Sequence, residues 1–216
     1  MAIIGAGPSG LACAHELERH GVKPDIFEQS SRPGDLFEHV AALLQITNRP
    51  VKDQLEEIKK SCYIPLKPLN LLKKVTMHTP RVSGSVSGNL GYLLRRGQGE
   101  DSLENQLLAQ IKTPIHYNTR ADYAALALDY DYVVVATGTY DTTKTLGCWE
   151  DIYKTWLVGA TVLGEFHPNH LEMWLNTEYA GSGYAYLTPF SHKSASLTLI
   201  VPKGKRKAID CWEMFL

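Results

Sequence analysis

The chain has 216 residues, which is enough for one large domain or for two smaller ones. Its 22 basic and 23 acidic side chains leave a formal charge of -1, so the balance does not favour a nucleic-acid partner. The four cysteines are far apart, and no apolar run approaches the roughly 20 residues that cross a bilayer. We therefore predict no metal site and a cytoplasmic protein, with peripheral contact to a membrane surface left open.

The first 28 residues predict a strand, a glycine turn, a helix and a second strand. An apolar run at residues 2–4 precedes glycines at 5, 7 and 10, and residues 11–17 continue as a helix that ends near Gly21. A second apolar run, residues 25–27, ends on Glu28. This spacing, with an acid about 20 residues after the turn, is typical of a dinucleotide-binding unit. The alternative is a glycine-rich turn in an ordinary βαβ unit.

Each glycine of the turn has a physical role in such a unit. Gly5 permits the tight turn, Gly7 lets the backbone approach a pyrophosphate, and Gly10 lets the helix pack closely on the strand. The helix then directs its free N–H groups at the phosphates, while Glu28 accepts hydrogen bonds from the ribose. The sequence therefore predicts a nucleotide site at its first turn.

The next part of the chain mixes loops, helices and short strands. Residues 29–35 predict a polar loop, in which Gly34 suits a chain that passes near a dinucleotide. Residues 36–44 predict helix or irregular structure and residues 51–62 an amphipathic helix. Residues 63–86 predict small strands and connections, and Ser102 is a typical N-cap for a helix over residues 103–111.

A second strong signal lies at residues 130–138. Its β-branched run, which ends in Ala136, Thr137 and Gly138, predicts a strand that is buried on both faces of a parallel sheet. The small residues at its end suit a backbone that must approach something closely. Before it, residues 115–118 predict a strand, and residues 123–128 predict a strand or a loose turn.

The character of the chain changes beyond Gly138. Residues 154–166 and 195–201 alternate as antiparallel strands do, and aromatic side chains concentrate in this part. The predicted fold class is α/β. A Rossmann-type domain with a parallel sheet covers residues 1–139, with a segment inserted near residues 63–100, and a partial antiparallel β-sheet substrate domain covers residues 140–216.

With both signals in hand, the chain resembles the FAD-dependent oxidoreductases of the glutathione-reductase type. Residues 2–34 fit the extended fingerprint of that superfamily, including Ala14, Glu28 and Gly34, and residues 130–138 fit its Ala-Thr-Gly strand. Residues 94–96 and 183–189 are similar to the branch that contains p-hydroxybenzoate hydroxylase-like enzymes and geranylgeranyl reductases. Tyr186 stands where those relatives often have tryptophan.

The resemblance implies an FAD-dependent reductase, dehydrogenase or monooxygenase that acts on a small apolar substrate, with the prenyl type among the options. NAD(P)H or another carrier would supply electrons. The implied cofactor-binding residues are Gly5, Ala6, Gly7, Pro8, Ser9, Gly10, Glu28, Gln29, Arg32, Arg95, Arg96, Ala121, Ala136, Thr137 and Gly138. No catalytic residue is predicted, because the flavin supplies the redox chemistry.

Several of these roles have a structural alternative. One of Arg95 and Arg96 would reach the phosphates or the ribityl chain, or both would form surface ion pairs. Arg32 would cover the diphosphate or be a solvated loop charge. Tyr184 and Tyr186 would shape an apolar substrate pocket or be ordinary aromatic residues of a sheet.

One expected segment is absent from the sequence. Proteins of the resembled family carry a late Gly-Asp segment that faces the flavin ring, and no Gly-Asp pair follows residue 140 here. We therefore expect a truncated or shortened chain in which the ring-facing half of the flavin site is incomplete. Two other functions stay open: an NAD(P)-dependent dehydrogenase that uses the same first unit, and a truncated, non-catalytic flavin-fold binding module.

Overall fold

The structure, a computed structural model, describes residues 1–34, 38–45, 50–204 and 206–216. Its elements in chain order are β1 (Ala2–Ile4), α1 (Pro8–Arg19), β2 (Asp25–Phe27), β3 (His39–Leu44), α2 (Gln54–Cys62), β4 (Asn70–His78), β5 (Ser83–Arg96), α3 (Leu103–Leu108), β6 (Ile115–His116), α4 (Tyr123–Asp129), β7 (Val133–Val135), α5 (Tyr140–Thr145), β8 (Thr155–Leu163), β9 (His170–Trp174), α6 (Thr177–Ala180), β10 (Tyr184–Pro189), β11 (Ser194–Pro202) and α7 (Ala208–Phe215).

The chain divides into two compact units. Unit 1 comprises Met1–Phe37, Leu55–Lys67 and Arg96–Glu150, and unit 2 comprises Glu38–Gln54, Pro68–Arg95 and Asp151–Leu216. Each unit is therefore assembled from three separate segments. The assignment of a cofactor domain to residues 1–139 and of a substrate domain to residues 140–216 stays a prediction.

Unit 1 contains a parallel sheet of four strands in the order β6-β2-β1-β7. Ile3 of β1 lies beside Ile26 of β2 on one side and beside Val134 of β7 on the other. Ile3 and Ile26 are fully buried and share a core with Leu11 of α1 and Leu107 of α3. The helix that follows the first strand thus packs on the sheet through apolar side chains, as a βαβ unit requires.

Unit 2 contains a sheet of seven strands in the order β3-β5-β4-β9-β10-β11-β8. The pairs β4/β5, β9/β10, β10/β11 and β11/β8 are antiparallel, whereas β4 and β9 run parallel. The sheet is therefore mixed, while the strands within residues 140–216, β8 to β11, pair antiparallel as the sequence predicted.

Cross-strand partners define the two faces of this sheet. Met173, Tyr186 and Thr198 are successive partners on β9, β10 and β11, and their side chains share one face, here called the cavity face. Ala185 and Leu199 lie on the opposite face, where they share a buried cluster with Cys211 of α7. That opposite face is here called the helix face.

The predicted fold class is confirmed, because the structure combines a parallel α/β sheet with a second, curled sheet. The strand at residues 25–27 and the Ser102-capped helix are also confirmed; the side chain of Ser102 accepts a hydrogen bond from the Asn105 N–H at 3.2 Å. The strands predicted at residues 154–166 and 195–201 exist as β8 and β11, which pair directly.

Three local predictions were wrong. Residues 39–44 of the stretch predicted as helix or irregular form β3; Thr188 donates a hydrogen bond to the Val40 carbonyl at 2.9 Å, a contact 148 residues away in the chain. Residues 36 and 37 of that stretch, and residue 35 of the predicted loop before it, lie outside the described residues. The predicted strand or turn at residues 123–128 is helix α4, capped by Asp122, whose side chain accepts from the Ala125 N–H. Good helix formers after an Asp cap explain this.

The third correction concerns β7, which was predicted to be buried on both faces. All three of its residues are half-buried, because β7 ends the described four-stranded sheet and pairs with β1 alone. Among the helices that the structure describes, none is both long enough and apolar enough to span a bilayer.

Candidate nucleotide-binding site

The first turn of unit 1 has the three steric environments that its glycines predict. A Cβ on Gly5 would lie 2.6 Å from the Ala136 carbonyl oxygen, and Gly5 has a φ of +105°. A Cβ on Gly10 would lie 1.9 Å from the Gly5 carbonyl oxygen, so α1 packs directly on the turn. Around Gly7, in contrast, a Cβ would meet nothing within 4 Å. The turn is therefore closed on two sides and open at Gly7.

Helix α1 begins at this open position. Gly7 is its N-cap, Pro8 occupies the first turn, and no side chain caps the helix within the described ranges. The first N–H groups of a helix have no partner inside the helix, and the helix dipole makes this end favourable for anions. Ser9 is exposed beside it, and Ala6 is buried beneath it. A pyrophosphate fits this cradle because Gly7 has no side chain to fill it.

Glu28 lies at the end of β2 and connects the turn to the next loop. Its carboxylate accepts hydrogen bonds from the Ala6 N–H at 2.7 Å and from the Ser30 N–H at 2.8 Å. Each oxygen has a second lone pair, and a ribose hydroxyl can donate to it. The carboxylate is thereby held in one orientation beside the turn, half-buried, while the adjacent Gln29 is exposed.

The end of β6 and the loop after it hold the backbone of Glu28 through two hydrogen bonds. The Glu28 N–H donates to the His116 carbonyl and the Thr119 N–H donates to the Glu28 carbonyl, at 2.9 and 2.8 Å. Burial and the nearby Glu28 carboxylate raise the pKa of Tyr117, and Asn118 has a φ of +52°. The sequence placed a strand here but did not single out Tyr117. The rule that parallel strands end at one edge of a sheet points to it.

The predicted Ala-Thr-Gly segment also lies at this edge. The Ala136 N–H donates to the Ile4 carbonyl at 2.8 Å, which places the end of β7 beside Gly5. Gly138 has a φ of +67° and open space around it. The structure therefore brings together the turn, Glu28 and residues 136–138. Ala121 is half-buried and directly precedes Asp122, the cap of α4, on the loop that leaves β6.

The predicted arginines differ in their surroundings. Arg96 donates to the buried carboxylate of Glu104 at 2.6 Å, and the Gly97 N–H donates to the other oxygen at 3.1 Å. Arg95 belongs to unit 2, where its guanidinium lies over the ring of Phe190 at 5.1 Å. Arg32 is exposed.

Sequence reasoning missed the contact beneath Arg96. A Cβ on Gly34 would lie 2.5 Å from the Gly97 carbonyl oxygen and 3.1 Å from Cγ of Glu104. The loop after Glu28 therefore packs against Gly97 and the start of α3 so closely at Gly34 that a side chain would not fit. A glutamate in the first turn of that helix, eight residues after Arg96, was the available signal, but only the structure shows that the two side chains pair.

Unit 2 contains a cavity of about 650 Å³ on the cavity face of its sheet. Val75, Leu171 and Met173 line its floor, and Lys52 is the only charged side chain among its described lining residues. Tyr186 shares this face with Met173, and its ring lies 5.9 Å from that of Tyr184. Neither tyrosine is among the described residues that line the cavity. Burial raises the pKa of Tyr186, and Thr198 opposes that rise.

Within the described ranges, no three His, Cys, Asp or Glu side chains gather closely enough to hold a metal ion. The turn and the parallel sheet of unit 1 instead have a Rossmann-like arrangement. Residues 3–42 match the family model described as an NAD(P)-binding Rossmann-like domain.

One protein with a similar sequence and two with a similar fold illustrate what this chain is similar to. The flavin-containing monooxygenase iboF of Amanita muscaria is 30% identical over 117 residues, which cover 53% of this chain and 20% of that protein. A geranylgeranyl bacteriochlorophyll reductase-like protein of Thermoplasma acidophilum has the same fold, with a TM-score of 0.71 at 12% identity over 99% of this chain and 60% of that chain.

A third relative is the tetrameric form of 2-methyl-3-hydroxypyridine-5-carboxylic acid oxygenase. Its TM-score is 0.60 at 16% identity, over 99% of this chain and 63% of that one. The chain thus spans less than two thirds of these solved chains and about a fifth of the fungal monooxygenase. The resemblance to FAD-dependent oxidoreductases is confirmed at the level of the fold.

Proposed function

We propose that unit 1 binds FAD and that the chain works in a flavin-dependent oxidoreductase. The observation that carries this proposal is the open cradle at Gly7, which lies between the closely packed Gly5 and Gly10 and next to the fixed carboxylate of Glu28. A side chain at Gly7 would occupy the space that a pyrophosphate needs.

Each part of the edge would hold a different part of the cofactor. The N–H groups at the start of α1 would bind the pyrophosphate, and Glu28 would accept from the adenosine ribose, with Gln29 beside it. Residues 136–138 and the loop containing Ala121 would border the adenosine, and Arg32 would face the diphosphate from its loop. A bound flavin supplies the electron transfer, and the protein supplies its position and surroundings.

The ion pair of Arg96 with Glu104 favours a role in which Arg96 positions the loop beside the site. Because Arg96 donates to the buried Glu104, its charge is used within unit 1 to hold the loop that carries Gly34.

Titration of the purified chain with FAD tests the proposal, followed by the visible spectrum of the washed protein. We expect saturable uptake and a yellow protein. A Glu28→Gln variant should bind about tenfold more weakly, which corresponds to roughly 1.4 kcal/mol. No heat and no colour at any FAD concentration would instead support a non-catalytic binding module.

A second candidate function is an NAD(P)-dependent dehydrogenase. The match of residues 3–42 to an NAD(P)-binding domain favours it, because the first βαβ unit can hold either dinucleotide. A colourless protein that binds NADPH and ignores FAD would establish it. If FAD binds and NADPH bleaches the bound flavin under anaerobic conditions, NADPH is the electron donor.

We also propose that the cavity of unit 2 receives an apolar substrate. Its floor is aliphatic, and its volume of about 650 Å³ is within the range of small-molecule sites. A prenyl alcohol is the test ligand, and the quenching of tryptophan fluorescence measures its binding to the chain. Met173→Lys should weaken binding by about tenfold or more, whereas Ile209→Lys, on the exposed surface of α7, should not. Equal binding by both variants would place the substrate elsewhere.

A further inference from the structure

Strand β8 ends the sheet of unit 2 with an exposed edge. Its residues pair with β11 over their whole length, and within the described ranges no strand pairs with its other edge. Trp156, Leu157 and Leu163 are 48%, 46% and 84% exposed. Such an edge presents a row of main-chain N–H and C=O groups with which another strand can pair.

The sequence of β8 has none of the features that usually prevent this pairing. Edge strands are commonly protected by a charged side chain, a proline or a bulge. Residues 155–163 contain no Lys, Arg, Asp, Glu or Pro, and the register between β8 and β11 is unbroken. The edge is therefore open to a partner strand both sterically and electrostatically.

A second copy of β8 is the partner that fits. If two copies run antiparallel with their Gly159 residues opposite each other, all nine residues pair. Trp156 then faces Val162 of the second copy, and Leu157 faces Thr161 of the second copy. A larger side chain meets a smaller one in both pairs, and Gly159 at the centre lets the two backbones approach.

Charges at the ends of β8 support the same arrangement. Lys154 precedes the strand and Glu165 follows it, so the antiparallel pairing brings the basic end of one copy to the acidic end of the other. Both charges lie in exposed ion pairs, Lys154 with Asp151 and Glu165 with Lys193, at 2.7 and 3.1 Å. In a parallel pairing Lys154 would meet Lys154 and Glu165 would meet Glu165, so neither charge would gain a partner beyond the one within its own copy.

We propose that the chain forms a two-fold dimer in which β8 pairs antiparallel with β8 of a second copy, centred on Gly159. The two seven-stranded sheets then join into one continuous sheet. This inference concerns unit 2 alone and is independent of the cofactor that unit 1 binds.

Size-exclusion chromatography with light-scattering detection measures the molar mass of the protein and tests the proposal. The unaltered chain should have twice the monomer mass. Leu157→Lys combined with Thr161→Lys places like charges opposite each other across the pair and should give monomers. Leu157→Lys combined with Thr161→Glu places lysine opposite glutamate and should restore the dimer, weakened by added salt. Only the register centred on Gly159 predicts this restoration.

A matched control separates the edge from a general effect of added charge. Leu71→Lys with Val82→Lys adds the same charge at exposed apolar residues of unit 2, and Leu71 is 44% exposed, close to Leu157. This variant should remain dimeric, and circular dichroism should show that all variants are folded. A monomeric unaltered chain, a larger assembly, or a dimer that persists in the double-lysine variant would overturn the proposal.

Discussion

Gly10 in unit 1 and Gly183 in unit 2 both lack room for a Cβ atom, yet the sequence alone explains why glycine is needed only at Gly10. A Cβ on Gly10 would lie 1.9 Å from the Gly5 carbonyl oxygen, and a Cβ on Gly183 would lie 1.9 Å from the Ile200 carbonyl oxygen. The partner of Gly10 is five residues away in the same turn. The partner of Gly183 lies on the paired strand, where the spacing of the sequence does not show it.

The largest expected effect follows from this pair of glycines. Gly10→Ala and Gly183→Ala should each lower the free energy of unfolding by about 3 kcal/mol, because the new methyl group overlaps a backbone oxygen that cannot move away as a flexible side chain can. Urea denaturation followed by circular dichroism measures this. Gly84→Ala is the control, since a Cβ there meets nothing within 4 Å. A neutral Gly183→Ala would show that only the nucleotide turn depends on such contact.

The next prediction tests whether the stability of unit 1 also depends on the ion pair of Arg96 with Glu104, outside the glycine turn. Arg96→Ala should cost about 2 kcal/mol of unfolding free energy, because it leaves the carboxylate of Glu104 buried without its cation. This loss of unfolding free energy is smaller than for a fully buried ion pair, because Arg96 is partly exposed. Arg120→Ala, at an exposed residue of the same unit, serves as the control. Equal stability of both variants would mean that the Gly34 loop does not require this ion pair.

The contrast between the two units explains what the sequence could reveal. The strand Asp25–Phe27, the acid at its end and the glycine turn are short-range features, and their predicted positions agree with the structure. Strand β3 depends on contacts such as that of Thr188 with Val40, and the parallel pairing of β4 with β9 joins segments nearly 100 residues apart. Helix α4 could have been predicted, because its cap and composition are local.

The same contrast applies to the candidate site. Gly7 and Glu28 were found from spacing, whereas Tyr117 and Glu104 reach the site through β6 and α3. Their roles depend on which strand lies beside β2 and on the packing of the Gly34 loop against Glu104 of α3. A single sequence supplies no direct information on either, so these residues came only from the structure.

A smaller effect should appear at Gly7, and it should change binding without changing stability. Gly7→Ala introduces a methyl group into open space at a φ of -74°, which alanine adopts readily, so the unfolding free energy should stay within about 0.5 kcal/mol. FAD affinity should fall by about tenfold, because the methyl group keeps the pyrophosphate from the backbone. Calorimetric titration of this variant and of Gly84→Ala measures the difference. Unchanged affinity would place the dinucleotide away from the turn.

The smallest expected effect lies in unit 2 and depends on pH. Burial lowers the pKa of His170; the carboxylate of Glu172 opposes the shift, while Lys74, His167 and His78 add to it. A lowered pKa means that the native state favours the neutral imidazole, which accepts from or donates to Thr76 at 2.8 Å. Its stabilising contribution is complete above the ordinary pKa near 6.5 and is lost as the pH falls through the lowered value.

Between pH 7 and pH 5 the unaltered chain should therefore lose more stability than His170→Asn, by less than about 1 kcal/mol. Thermal melts of both proteins across this range measure the difference. Parallel pH profiles would show that His170 titrates alike in the folded and unfolded chains, and that unit 2 tolerates a charged histidine between β4 and β9.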